Sequence, residues 1–329
     1  MSETFAVEAA VELAVVERSG FIESRHAGSA IVLSPTGEVI RTLGDVSAPV
    51  FSRSCLKPFQ AVAVMSSGVN LRGEDAAIAT ASHSGTARHV DLVRGVLARA
   101  GVPESALGCP PALPQDSAAR DAIVRSGGAP APVYMNCSGK HAAMLAACVR
   151  SGWDLAGYLE PEHPLQKRIL DILERLTGER PSASGVDGCG APVHAISLAA
   201  LAHGIQRIAT STPSSPFALY REAGALTEAV REHPWVIAGP GLGDSIIIER
   251  LGVFSKYGAE GSVMVVAPDG TTVALKVLDG NTRAVHAVAL RLLVQAGALD
   301  AAAVEPVLQE LDLWVLGGTR RVGSIRATV

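Results

Sequence analysis

Two β-hairpin signatures lie more than two hundred residues apart in this chain, SAIVLSPTGEVIRT at 29–42 and GSVMVVAPDGTTVALKV at 261–277. In each, a Pro and a Gly supply the turn between apolar, β-branched runs. Between them, apolar spacing and Gly or Pro stops predict helices at 58–67, 86–100, 138–150, 164–177, 193–209 and 217–231, with one more at 282–297. Strands at both ends that enclose helices require the ends to meet. The expected fold class is therefore α/β, a mixed sheet built from the N- and C-terminal hairpins and layered with helices. The loops at 109–116, 179–192 and 211–216 are rich in Pro, Gly and Ser but too short to link independent domains. Residues 1–329 are expected to form a single catalytic domain.

With 48% hydrophobic and 18% charged residues, the chain has the composition of a globular protein. A net charge of -4 gives no electrostatic footprint for nucleic acid or an anionic membrane. The first twenty residues carry Glu3, Glu8, Glu12 and Glu17, which does not fit a signal peptide, and no later stretch is apolar enough to span a bilayer. A cytoplasmic location is expected. The five cysteines are odd in number and sparse, which points to thiols used singly or as ligands.

Of the 28 basic residues only five are lysines: Lys57, Lys140, Lys167, Lys256 and Lys276. A drift toward arginine codons accounts for the scarcity but not for the positions. Arg stays protonated in a protein, whereas a desolvated Lys can lose its proton, so each lysine is a candidate for chemistry.

In FSRSCLKPFQAVAVMSSG, Ser54 and Lys57 stand three apart at the start of an amphipathic helix, which puts hydroxyl and amine on one face. A neutral amine there can take the serine proton and leave an alkoxide nucleophile, and the helix start favours the negative charge. The alternative is a surface lysine beside a capping serine; the apolar flanks favour burial. In AIATASHSGTARHV, small residues read as a strand-to-helix turn, where Ser82 or Ser84 either relays a proton or caps the following helix. His83 and His89 are possible bases or satisfied structural residues. SKYGAEGSVMVV places Lys256 and Gly258 at a sheet edge, and Lys-X-Gly after Ser-X-X-Lys is the arrangement of serine β-lactamases and penicillin-binding proteins. A second ammonium near Lys57 would help keep it deprotonated.

YMNCSGKHAAMLAAC sets Cys137, Lys140 and His141 at a helix start, and SGVDGCGAP sets Cys189 in a Gly-rich loop. Two thiolates and a nitrogen donor can bind zinc; two lone cysteines can equally be core. Cys148 and Cys109 read as core. Arg53 and Asp187 can bind the α-carboxylate and α-amino group of an amino acid, or form an ordinary salt bridge.

Taken in order, SRSCLKPFQ, ASHSG, NCSGKHAAML, DGCGAP and SKYGAEG resemble the Rhizobium etli-type L-asparaginases of the asparaginase II family, over about residue 12 to the C-terminus. The resemblance implies a fold related to serine β-lactamases and glutaminases, a homodimer, and hydrolysis of L-asparagine to L-aspartate and ammonia. By motif position, it makes Ser54 and Lys57 the nucleophile and its base, Ser82 the second hydroxyl and Lys256 the second lysine. It makes Cys137, Lys140 and Cys189 zinc ligands, with zinc orienting substrate rather than activating water. Arg53, Asp187, Ser84 and His141 fall near substrate or metal. Two other readings share these residues: a β-lactamase-like acyl transferase, and a zinc- or amino-acid-binding protein without turnover. On this reading Lys167 and Lys276 are ordinary surface or strand positions, where exchange for Arg is nearly silent.

Overall fold

A computed structural model describes residues 3–329. The strands are β1 (Val11–Arg18), β2 (Phe21–Leu33), β3 (Val39–Leu43), β4 (Pro49–Phe51), β5 (Ala183–Val186), β6 (Pro192–Ser197), β7 (Phe254–Gly258), β8 (Ser262–Val266), β9 (Thr272–Val277), β10 (Trp314–Gly317) and β11 (Arg320–Ala327). Among the described residues, eight of them form one sheet in the order β10-β11-β1-β2-β9-β8-β7, with β3 against the second half of β2. All of its ladders are antiparallel. The two ends of the chain meet where β2 pairs with β9, from Gly28 opposite Val277 to Leu33 opposite Thr272. The distant hairpins, β2–β3 and β8–β9, thus become neighbours, as their spacing predicts. A smaller sheet has the order β4-β6-β5.

The helices are α1 (Lys57–Met65), α2 (Glu74–Thr80), α3 (Ala87–Ala100), α4 (Ser117–Arg125), α5 (Ser138–Ser151), α6 (Pro164–Thr177), α7 (Leu198–Ala209), α8 (Ala218–Glu232), α9 (Pro234–Ile237), α10 (Gly243–Leu251), α11 (Val285–Gln295) and α12 (Ala301–Glu310). Each predicted helix has a counterpart, and one boundary moves. The segment expected to be helical from 193 begins instead as β6; α7 starts at Leu198, where the Ser197 hydroxyl accepts from the Ala200 N–H. Apolar residues lie on both sides of the border, interrupted only singly by His194 and Ser197, so periodicity alone merges the two elements; the N-cap marks the border.

A second correction concerns the approach to Ser82. The expected strand is α2, whose first turn carries Glu74 and Asp75 and whose body is mostly Ala. Acidic residues suit a helix N-terminus, and Ala has the highest helix propensity. Its small face lets α5 come close: a Cβ on Gly139 would lie 2.4 Å from the Ile78 carbonyl oxygen.

Every residue of α1, KPFQAVAVM, is buried. A helix that is apolar on all sides belongs in the interior, and α1 lies among α2, α5, α6, α7 and α8. Pro58 suits its first turn, where no backbone donor is lost. Lys57 heads this helix, so its amine is carried out of water and is 1% exposed.

Candidate active site

Ser54 lies in a 3-10 turn, Arg53–Leu56, that joins β4 to α1. Arg53 enters it with φ +53°, a left-handed conformation that costs a non-glycine residue energy and recurs at functional turns. The Arg53 guanidinium donates to Asp187 at 2.6 Å and lies 3.8 Å from Glu260. Gly258 of β7 allows the turn to sit against that strand, since a Cβ there would be 2.2 Å from the Ser52 carbonyl oxygen. Next to Ser54, the Cys55 thiol donates to the Lys256 carbonyl at 3.3 Å. The backbone carrying the first serine is thereby tied to the strand carrying the second lysine.

Lys57 donates to the Ala81 carbonyl at 2.6 Å and to Ser82 Oγ at 2.8 Å. Burial pushes its amine down to about 8; the Cys137 sulfur opposes the shift, while Lys256 and Lys140 add to it. Ser82 is held in place by its N–H bond to the Ile237 carbonyl. Ser84 is also buried, but it packs against Gly239, where a Cβ would come within 2.3 Å of its hydroxyl. The two histidines of this segment are structural. His83 Nε2 pairs with Ser138 Oγ, while His89 pairs with Thr86 and the Trp235 carbonyl. Burial pushes His83 well below, and His89 to about 4, so both stay neutral at ordinary pH.

Cys137 caps α5, and Lys140 lies on its first turn with its amine 3.0 Å from Cys189 Sγ. The bond from the Cys189 thiol, more than the nearby Lys57 and Lys140 amines, holds Cys137 well below the usual thiol range against the effect of burial. Burial alone would lower Lys140; the Cys189 and Cys137 sulfurs hold it above its ordinary value. His141 Nδ1 pairs with Tyr158 Oη at 2.6 Å, and its buried Nε2 has no hydrogen-bond partner. Cys109 and Cys148 are buried core thiols, each pushed up to about 11 by burial.

Zinc suits these donors: soft sulfur and nitrogen ligands converge beside an unpartnered buried imidazole nitrogen. Among the described residues, no group of three or more His, Cys, Asp or Glu side chains is placed to hold a metal ion.

Lys256 is fully buried on β7, the last strand of the sheet path. Its amine donates to the Tyr257 carbonyl at 2.8 Å and lies 3.6 Å from Asp244 Oδ2. Behind Tyr257, Asp244 and His286 opens a cavity of about 330 Å³ whose lining does not include Ser54.

The profile of the L-asparaginase II family matches residues 14–327. The chain belongs to this family. A search of curated proteins gives no match. Among solved structures, the native form of Mglu is 14% identical, with a TM-score of 0.47 over 83% of this chain and 65% of that one. This chain therefore spans less than two thirds of that relative's length. A beta-lactamase from Mycobacterium bovis is 18% identical (TM-score 0.41; 83% and 95% covered). The Bacillus subtilis glutaminase YbgJ, in covalent complex with 5-oxo-L-norleucine, is 14% identical (TM-score 0.38; 83% and 89% covered). These likenesses are weak, and the family assignment rests on the profile.

Against the family motifs, the structure gathers three groups. Lys57 meets Ser82, and Lys140 meets Cys189 beside Cys137 and His141; Arg53 meets Asp187. Lys256 turns toward Tyr257 and Asp244 rather than to Ser82. Asp244 and Glu260 were not singled out from sequence. The signal for Asp244 was a lone carboxylate ahead of the apolar run Ile246, Ile247 and Ile248 in GDSIII. Lys276 also differs from expectation: it is 7% exposed, donates to the Val277 carbonyl, and is lowered by burial, whereas Lys167 is exposed beside Glu162. Among the described residues no helix is long and apolar enough to cross a membrane.

Proposed function

We propose that the protein is an L-asparaginase that hydrolyses the side-chain amide of L-asparagine through an acyl-enzyme on Ser54. The observation that carries this reading is the buried Lys57 amine, one turn beyond Ser54 and bonded to Ser82. Its depressed pKa supplies a neutral fraction able to act as a base. In the first step Lys57 takes the Ser54 proton, and Oγ attacks the amide carbon. The Ser54 N–H, at the start of the 3-10 turn, is the proposed donor to the oxyanion. The C–N bond then breaks as Ser82 passes a proton to the departing nitrogen, which leaves as ammonia. Ser82 is re-protonated by Lys57, to which it is already bonded, with Lys256 supplying positive charge beside the path. Water then attacks the ester, releasing aspartate and restoring the Ser54 hydroxyl.

Arg53 and Asp187 are the proposed partners of the substrate's α-carboxylate and α-amino group. Ser84 and His141 are further proposed partners of the substrate. Cys137, Lys140 and Cys189 are the proposed holders of zinc, which when bound supplies positive charge that orients substrate. A homodimer belongs to the same reading and is checked by light scattering.

Ammonia release measured with asparagine and glutamine side by side tests the substrate. The reading expects higher kcat/KM for asparagine; glutamine preferred, or neither cleaved, contradicts it. Hydrolysis of a chromogenic cephalosporin without ammonia release would instead support a β-lactamase-like acyl transferase.

A further inference from the structure

We propose that Asp244 is a positioning residue for Lys256, and that His286 holds Asp244 in place from the cavity side. The inference rests on the reading of Lys256 as part of the catalytic group.

Asp244 lies in the first turn of α10 and is completely buried. Its Oδ1 accepts from Ser255 Oγ at 2.6 Å and from His286 Nε2 at 3.0 Å. Its Oδ2 accepts from the Tyr257 N–H at 2.9 Å and faces Lys256 Nζ at 3.6 Å. Three consecutive residues of β7 thus converge on one carboxylate. An unpaired charge in such a place would be costly, so the carboxylate and ammonium depend on each other.

Bonds to Ser255 and the Tyr257 backbone would be enough to anchor β7 to α10. They do not require a charge. The ammonium does, because the buried side chain has two fixed anchors, the Tyr257 carbonyl and Asp244. Those anchors set where the remaining N–H points. Lys256 is also one of the charges that lower Lys57, so a displaced Lys256 would be felt at the first lysine.

His286 lines the 330 Å³ cavity together with Asp244 and Tyr257. Its ring sits over Gly243, where a Cβ would come within 2.6 Å of Cε1. That glycine gives the imidazole room to reach Asp244, to which Nε2 donates.

The test is a double-mutant cycle on ammonia release, with folding followed by circular dichroism and thermal unfolding. Asp244→Asn keeps the shape and removes the charge. It is expected to lower kcat about tenfold or more, with KM changing less than about threefold. In a Lys256→Met background, the same change should cost less than about twofold, because its partner is already gone. An equal loss in both backgrounds, or unchanged kcat in the single variant, overturns the inference while leaving the asparaginase reading intact. If Asp244→Asn does not fold, the His286 pair decides: His286→Leu should lower kcat about threefold or more and His286→Gln, which keeps an N–H donor, should recover most of it. A His286→Leu enzyme as active as the wild type overturns the inference. A folded wild-type protein that releases no ammonia from either amide overturns the asparaginase reading and this inference with it.

Discussion

Lys57 Nζ donates to Ser82 Oγ at 2.8 Å, although Ser54 is the hydroxyl one helical turn away from it in sequence. The resting site therefore holds the lysine against the second serine. On the proposed mechanism the link from Lys57 to Ser82 is formed before substrate arrives, and a contact between Lys57 and Ser54 is the one that must form during reaction. Hydrogen bonds to a nucleophile are often long until substrate binds.

Lys57→Met separates chemistry from folding. The buried amine is replaced by an apolar chain of similar length, so the thermal midpoint should hold or rise, while kcat should fall by about 10²–10⁴ as a base is lost. Ammonia release and a thermal melt on the same sample check this. Activity within tenfold of wild type contradicts the assignment of the base.

Asp244 makes a prediction about acid stability. Burial would raise its pKa, but Lys256, followed by His286 and Ser255, more than offsets that and holds it well below the usual carboxylate range. A depressed carboxylate contributes stability above its unfolded value, about 3.9, and loses it as pH falls through the folded value. Urea midpoints of the wild type should therefore drop more steeply below about pH 4 than those of Asp244→Asn. Parallel curves for the two proteins contradict it.

The sulfur cluster predicts a zinc-dependent difference between cysteines. Titration of metal-free protein with zinc should show one site, accompanied by proton release as thiols ionise. Cys189→Ser should lose it, and Cys109→Ser, which removes a core thiol, should keep it. Equal uptake by Cys189→Ser and wild type contradicts the proposed ligand set.

Two lysines outside these groups part company. Lys276 is buried on β9 between β2 and β8, where its cross-strand partners are Ser29 and Ser262. Forcing a guanidinium into that space should cost about 1–3 kcal/mol. Lys167→Arg, exposed beside Glu162, should stay within about 0.5 kcal/mol. Denaturant unfolding of both variants checks the pair, and equal stability contradicts the burial argument.

The central architecture was readable because hairpin chemistry is local: Pro35 with Gly37 and Pro268 with Gly270 mark turns whatever surrounds them. That the two hairpins pair followed from where they lie in the chain. The break between β6 and α7 was hidden because apolar residues continue across it, and the helix before Ser82 was hidden because a short run of Ala and Ile fits either period. Ser54 and Lys57 could be placed together from their spacing alone. The partner that Lys57 actually takes could not, because Ser82 arrives through the packing of α2 against α1. Asp244 stayed out of sight for a similar reason: its partners lie on β7 and α11, and only the folded chain brings them to it.

The central claim is that Ser54 carries the acyl group. Ammonia release from asparagine by Ser54→Ala, compared with wild type under saturating substrate, measures it most directly. The account predicts a loss of kcat of about 10³-fold or more in a protein that still melts like wild type. A Ser54→Ala protein that retains most of its turnover would contradict it.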